Sequence, residues 1–286
     1  MKQLLYIGIL FITIVACSCS NTQQTELKVM SFNIRYDNPE DSIQGWNFRK
    51  DNVVKMIRFH DVDIIGMQEV LHNQLMDLKE RLPQYDFVGV AREDGKEDGE
   101  YSPVFYRKDK YRKVDGGTFW LSETPEAPSF GWDAACRRIT TWVILKEQNS
   151  NKEIAFFNTH FDHVGKVARK KSAALLLTQV QQLAENRAVI VTGDFNVTRD
   201  SETIKIMTDP TGEFSLNNCN ELAELTYGPD WTFHDFGSIP YSKRQMIDFV
   251  FSSQSGGIEK YAVLSEDIDG VYLSDHCPVF VQLGIK

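Results

Sequence analysis

At 286 residues the chain suits one large domain or two small ones and can bury a core without disulfide staples. It is 42% hydrophobic and 25% charged, ordinary globular usage that excludes wholesale disorder. Asp and Glu number 40 against 31 Lys and Arg, a net charge of −9, so the overall field does not favour tight binding of duplex nucleic acid. A local basic groove stays open.

The N-terminus reads as a separate object. Lys2 precedes an apolar run from Leu4 to Ala16 that is too short to span a membrane comfortably, and this is the pattern of an export signal peptide. Ile14-Val15-Ala16-Cys17 is similar to the bacterial lipobox. That similarity implies removal of residues 1–16, acylation of Cys17, and a membrane-anchored lipoprotein on the periplasmic or cell-surface face. The alternative is cleavage after a generic small-residue site, which also exports the chain. Polar, uncharged residues follow, so 17–26 is expected to be a flexible tether and 27–286 a single domain. Cys19, Cys136, Cys219 and Cys277 form no CxxC pair of metal-binding spacing, which argues against zinc or iron–sulfur sites. An oxidising compartment allows one or two disulfides of open connectivity.

From there, short β-rich runs alternate with helical patterns. Strands are expected at 27–34, 63–67, 87–90, 104–106, 140–145, 154–157, 188–191, 247–251, 261–264 and 279–283. Helices are expected at 46–59, 72–82 and 166–186. The hydrophilic stretches 37–45, 92–100, 124–133 and 208–230 read as loops over a working face. No linker or internal repeat divides the chain, and the pattern points to α/β or α+β with a mixed sheet.

Polar residues stand at the ends of these strand runs: Asn33, Glu69, His160, Asp194 with Asn196, Asp248, and Asp275-His276. Any one alone is more simply a turn cap or a structural histidine. Their repetition carries the signal, because gathering several carboxylates is costly unless a cation offsets them. Oxygen ligands without cysteine suit Mg²⁺, Mn²⁺ or Ca²⁺. Histidines beside carboxylates suit proton transfer near neutral pH. A hard cation with His–carboxylate pairs is the equipment for hydrolysing a phosphate ester.

The segments Leu27–Arg35 (LKVMSFNIR), Ile64–Val70 (IIGMQEV), Asn158–His160 (NTH), Thr192–Asn196 (TGDFN), Ile247–Phe251 (IDFVF) and Ser274–His276 (SDH) resemble, in order, the motifs of the endonuclease/exonuclease/phosphatase superfamily. The resemblance spans residues 27–283. It implies a DNase I-like α/β four-layer sandwich, two mixed β-sheets face to face with helices outside, and one or two Mg²⁺ or Mn²⁺ ions. Carried over residue by residue, it makes Glu69 the principal metal ligand, with Asn33 and Asp275 beside the metal. Asp194 would orient or deprotonate the attacking water, and Asn33, Asn196 and Arg138 would contact phosphate. His276 would be a catalytic imidazole set by Asp248, and His160 a second one oriented by Glu100.

Arg35 and His160 depart from the abasic-site endonuclease pattern, and Met246-Ile247-Asp248 departs from that of inositol 5-phosphatases. The resemblance favours a monomeric phosphodiesterase or nuclease acting outside the cytoplasm. The alternatives are a phosphatase or sphingomyelinase-like enzyme on a lipid or small phosphorylated substrate and, further off, a non-catalytic binding lipoprotein. Trp46, Arg49, Lys50, Trp132, Trp231 and Tyr241 are candidates for an aromatic and basic rim that holds a base or sugar, unless Trp46 simply packs at its helix start.

Overall fold

The computed structural model describes residues 25–285, which form two large sheets with helices against them. The N-terminal half contains β1 (Thr25–Asn33), α1 (Trp46–Phe59), β2 (Ile64–Gln68), α2 (His72–Arg81), β3 (Tyr85–Val88), β4 (Val104–Arg107), β5 (Tyr111–Trp120) and β6 (Ile139–Glu147). There follow β7 (Glu153–His160), α3 (Lys166–Ala184), β8 (Ala188–Asp194), α4 (Glu202–Thr208), β9 (Asn217–Asn218), α5 (Cys219–Leu222) and β10 (Leu225–Tyr227). The chain closes with β11 (Asp248–Ser252), β12 (Ile258–Val263), the hairpin β13 (Asp267–Ile268) and β14 (Val271–Tyr272), and β15 (Val279–Ile285). One sheet runs β10-β12-β15-β1-β2-β4-β3 and the other β5-β6-β7-β8-β11-β9.

Side-chain alternation assigns the layers. On β1, Leu27 and Val29 point into the core between the sheets, while Met30 and Phe32 join Val53, Ile57, Leu75 and Leu78 under α1 and α2. The other outer layer is α3, whose Ala173, Leu176 and Val180 cover the second sheet. The sheets approach closely at Gly66, where a Cβ would lie 2.0 Å from Thr192 Oγ1 and 2.4 Å from Asn158 Oδ1. Asn158 binds across this gap, donating to the Met67 carbonyl at 2.6 Å and accepting from Gln68 Nε2 at 2.7 Å.

The mixed α/β sandwich expected from the sequence is the observed fold, with some corrections. Thr25 and Glu26, assigned to the tether, already pair with Ile285 and Gly284 in β1. The sequence reading omits β5, because residues 112–115 of this edge strand are exposed and its pairing shifts between Lys113 and Asp115, which erases the alternation. It also omits the short α4, and it reads 208–230 as plain loop where β9, α5 and β10 lie. Cys136, Cys219 and Cys277 are free thiols. The signal segment, Cys17 and Cys19 lie outside the described residues.

Candidate active site

Two parallel strand pairs, β1–β2 and β7–β8, end at the same edge of the sandwich. That edge receives Asn33 and Glu69 from one sheet and His160 and Asp194 from the other, as expected at the carboxyl ends of strands in such folds. β11 runs antiparallel to β8 and begins there, with Asp248 opposite Asp194. The segment before β15 adds Asp275 and His276. Arg35, Glu69 and Asn196 hold positive φ of 58°, 61° and 52°, conformations that non-glycine residues rarely adopt and that here turn the chain sharply off a strand end.

Asn33 ties the sheets together. Its Nδ2 donates to Glu69 Oε1 and to Asp194 Oδ2, both at 3.0 Å. Glu69 Oε2 accepts from the Tyr36 backbone N–H at 3.2 Å, and Asp194 Oδ1 from that of Asn196 at 2.9 Å. His276 Nδ1 meets Asp248 Oδ2 at 2.8 Å, which turns Nε2 toward Asp194 Oδ2 at 3.8 Å. Asn196 Nδ2 donates to the Phe161 carbonyl, and so also donates to His160 Nε2 at 3.1 Å. This fixes the His160 proton on Nδ1, which faces Glu100 at 3.9 Å.

The electrostatics separate the two imidazoles. Burial, with Arg138 and Arg92 beside it, pushes His160 well below its usual pKa and keeps it neutral. Burial opposes the charged form of His276 too, but the Asp248, Asp194 and Asp275 carboxylates raise it well above its usual pKa. Asp194 is pushed up to about 7 by burial and by the Asp248 charge, and Asp275 up to about 6 by burial, with Glu69 adding to the push. Glu100 is also raised, by burial and by Glu69.

Crowded carboxylates of this kind are relieved by a cation. Oxygen and nitrogen atoms of Glu69, His160 and Asp194 lie within 4.8 Å of one another, as do those of Asp194, Asp248 and His276. This donor set is dominated by oxygen and fits a hard divalent cation held by Glu69 and Asp194, with Asn33 and Asp275 beside it. A third cluster, Cys136, Asp162 and His163, is equally tight but has no free ligand set. The Asp162 oxygens are taken by four backbone N–H groups, and Arg138 Nη2 stands 3.2 Å from His163 Nδ1.

All the site residues expected from the sequence gather here. Glu69, Glu100, Arg138, His160, Asp194, Asn196, Asp275 and His276 line one pocket of about 440 Å³, with Asn33 and Asp248 directly behind. Glu100 is held mainly by Arg92, at 2.6 Å. The proposed rim is corrected at three members, since Trp46, Arg49 and Trp231 are buried, the last against Arg244 and Tyr241. Trp46 donates to Asp77 Oδ2, and the Arg49 guanidinium donates to the carbonyls of Ile34, Arg35, Gln44 and Leu273. Sequence reasoning missed Tyr36, Arg92, His163 and Phe233 as pocket residues. They sit on loops, where no strand-end pattern flags them. Arg92 and Arg138 matter most, because Arg92 Nε and Arg138 Nε and Nη1 are buried without a hydrogen-bond partner.

The profile of the Endonuclease/Exonuclease/phosphatase family matches residues 30–276. An endonuclease/exonuclease/phosphatase structure from Bacteroides vulgatus superposes with a TM-score of 0.89 at 44% identity, covering 92% of this chain and 100% of that one. A mannosyl-6-phosphatase from Bacteroides thetaiotaomicron superposes with a TM-score of 0.83 at 39% identity, covering 89% of this chain and 98% of that one. An uncharacterized protein of Acanthamoeba polyphaga mimivirus is 27% identical over 89% of this chain and 99% of its own length.

Proposed function

We propose that this chain, which belongs to the endonuclease/exonuclease/phosphatase family, is an exported, divalent-metal-dependent phosphomonoesterase acting on a sugar phosphate. The family's phosphoester hydrolysis is the frame, and the choice of a monoester rests on one observation. The Arg92 and Arg138 guanidinium groups both line the pocket that also holds Glu69, Asp194 and Asp275, so an anion there meets two fixed cations beside the carboxylate cluster. Two converging guanidinium groups favour the ligand with the most charge and the most terminal oxygens. A phosphomonoester offers three and carries more charge; a diester offers two. The 39% identical mannosyl-6-phosphatase supports the same substrate class. Nuclease action, favoured by the sequence reading, ranks second on this ground.

A bound Mg²⁺ or Mn²⁺ ion supplies charge neutralisation at the phosphoryl oxygens. The protein's own groups do the rest. Arg92 and Arg138 donate to the phosphoryl oxygens and fix the ester in place, whereas Asn196, expected from the sequence to contact phosphate, has both amide hydrogens taken by Phe161 and His160. Asp194 accepts a hydrogen bond from the attacking water and orients it toward the phosphorus, its own position fixed by Asn33 Nδ2 and the Asn196 backbone N–H. His276, held cationic by Asp248, donates from Nε2 as charge builds. His160 holds a proton at Nδ1 and, with Asn196, fixes the opposite wall.

The test compares hydrolysis of mannose 6-phosphate, glucose 6-phosphate and p-nitrophenyl phosphate with that of bis-p-nitrophenyl phosphate and a single-stranded oligonucleotide, each with Mg²⁺, Mn²⁺ or EDTA. Faster turnover of the sugar phosphates supports the reading, and preference for either diester overturns it. Export and anchoring are tested separately by Cys17→Ser, which should move the chain from the membrane fraction to the soluble one or stall its processing.

A further inference from the structure

The end of the sandwich opposite the active site carries a second concave surface. A pocket of about 600 Å³ is walled by Tyr106 and Tyr111 and ringed by Lys108, Arg112, Lys113 and Lys146. Nearby cations on the same end are matched by acids, Arg107 with Asp61 and Asp109 and Lys110 with Asp63. The four pocket cations have no such partner among the described residues, in a chain of net charge −9. Glu153, directly opposite Lys146 across β6 and β7, is engaged by Arg187 at 2.8 Å, Asp109 by Arg107, and Glu147 by the backbone N–H groups of Asn149 and Ser150. Arg112 and Lys146 also lie directly opposite one another across β5 and β6, a like-charge pair that destabilises a sheet unless an anion sits between them. The pairing of β5 shifts immediately after Lys113, which re-aims the side chains at this point.

The chain enters the domain beside this pocket. Asn151 lines it, the next residue's Lys152 Nζ donates to the Ile285 carbonyl at 2.7 Å, and Ile285 pairs with Thr25, where β1 begins. Cys17 stands eight residues before Thr25, so a lipid on Cys17 lies within about 28 Å of that strand end even when the intervening chain is fully extended. The same end presents Phe59, 86% exposed at the terminus of α1, close to the Lys28–Asp61 and Arg107–Asp61 pairs. Unpaired cations with an exposed aromatic ring beside a short tether form a surface suited to a phosphate-bearing interface.

We propose that the pocket of Lys108, Arg112, Lys113 and Lys146 binds the headgroup phosphates of anionic phospholipid, so that the anchored enzyme stands on its membrane with the catalytic end turned outward. The proposal rests on the lipid-anchor reading of Cys17 and is independent of the substrate. The whole chain is reconstituted into phosphatidylcholine vesicles with or without phosphatidylglycerol, and its lysines are acetylated and mapped by mass spectrometry. Each cation near a charged surface is worth about a fivefold change in occupancy. Lys108, Lys113 and Lys146 should therefore react at least about fivefold more slowly with phosphatidylglycerol present. Lys166 and Lys171, exposed on α3, should be unchanged. Arg112→Ser should return Lys146 toward its rate on neutral vesicles. If the chain sits on both vesicle types and the pocket lysines react equally, the pocket proposal fails while the anchor stands. If the chain stays in solution, the anchor reading falls and the proposal with it. Equal protection on neutral vesicles by millimolar inorganic phosphate would assign the pocket to a soluble anion instead.

Discussion

Asp248→Asn isolates what one buried carboxylate does for His276. The pair is 2.8 Å apart, with side chains 1% and 5% exposed, so water screens the attraction poorly. At an effective dielectric of about 20, opposite charges at that distance attract by about 6 kcal/mol, and desolvation takes back part of it. A net loss of about 3–5 kcal/mol of support for the imidazolium corresponds to a kcat reduced about 10²- to 10⁴-fold, the range for a positioned proton-transfer group. The amide can still accept from Nδ1 through its oxygen, so the ring stays near its place and KM should change little. Steady-state phosphate release gives kcat and KM, and a thermal melt shows that the variant is folded. His276→Ala should fall by a similar factor, and the double variant by no more than about threefold beyond it, because the two residues act as a unit. Losses that multiply in the double variant, or an Asp248→Asn enzyme with ordinary kcat, would refute the pairing.

Other outcomes follow from the same geometry. Gly66→Ala forces a methyl group against Thr192 and Asn158 where the sheets touch, so it should cost about 2–3 kcal/mol and lower Tm by about 5–10 °C; an unchanged melt would show that the sheets can separate there. Glu69→Gln should raise the Mg²⁺ or Mn²⁺ concentration needed for half-maximal activity by about tenfold or more, read in a metal titration, whereas unchanged metal dependence removes Glu69 from the ligand set. Burial pushes the Asp162 carboxyl upward, but four backbone N–H donors from Gly165, Val164, Ala135 and Cys136 hold it below its ordinary value. Its stabilisation is therefore complete above about pH 4 and fades as the pH falls through the depressed folded value. Asp162→Asn should be less stable than the parent at pH 7 by about 1–3 kcal/mol, with the gap closing on acidification in denaturant melts.

The site was legible where strand physics and chemistry coincide. An apolar run that ends in Asn, Glu, His or Asp announces both a buried strand and the group it delivers, and for that reason Asn33, Glu69, His160 and Asp194 could be placed before any coordinates. Residues that reach the pocket from loops carry no such mark. Arg92 and Tyr36 look like any solvated loop side chain, and only the folded chain shows them beside the carboxylates. Arg49 misleads in the opposite direction. On a helix it reads as a surface cation, yet it is fully buried, its pKa lowered by that burial to about 10, with four backbone carbonyls in place of an acid partner. β5 escaped notice because an exposed edge strand has no buried face to impose a period of two.

Asn33 reaches from one sheet to Asp194 in the other, and the Glu69 and Asp194 carboxylates both depend on that registration. No half of the molecule owns the site: Glu69 arrives with β2, whereas His160, Asp194 and Asp248 arrive with β7, β8 and β11. Turnover is thus a gauge of how the two sheets are seated, sensitive to a slip too small to melt either one. Damage beneath the pocket, at the Asn158–Gln68 bridge for example, would register as lost activity before it registered as lost secondary structure. During synthesis, the pocket is complete only when β11 and the Asp275-His276 segment come home, so the last fifth of the polypeptide closes an edge whose Asn33, Glu69, His160 and Asp194 were made first.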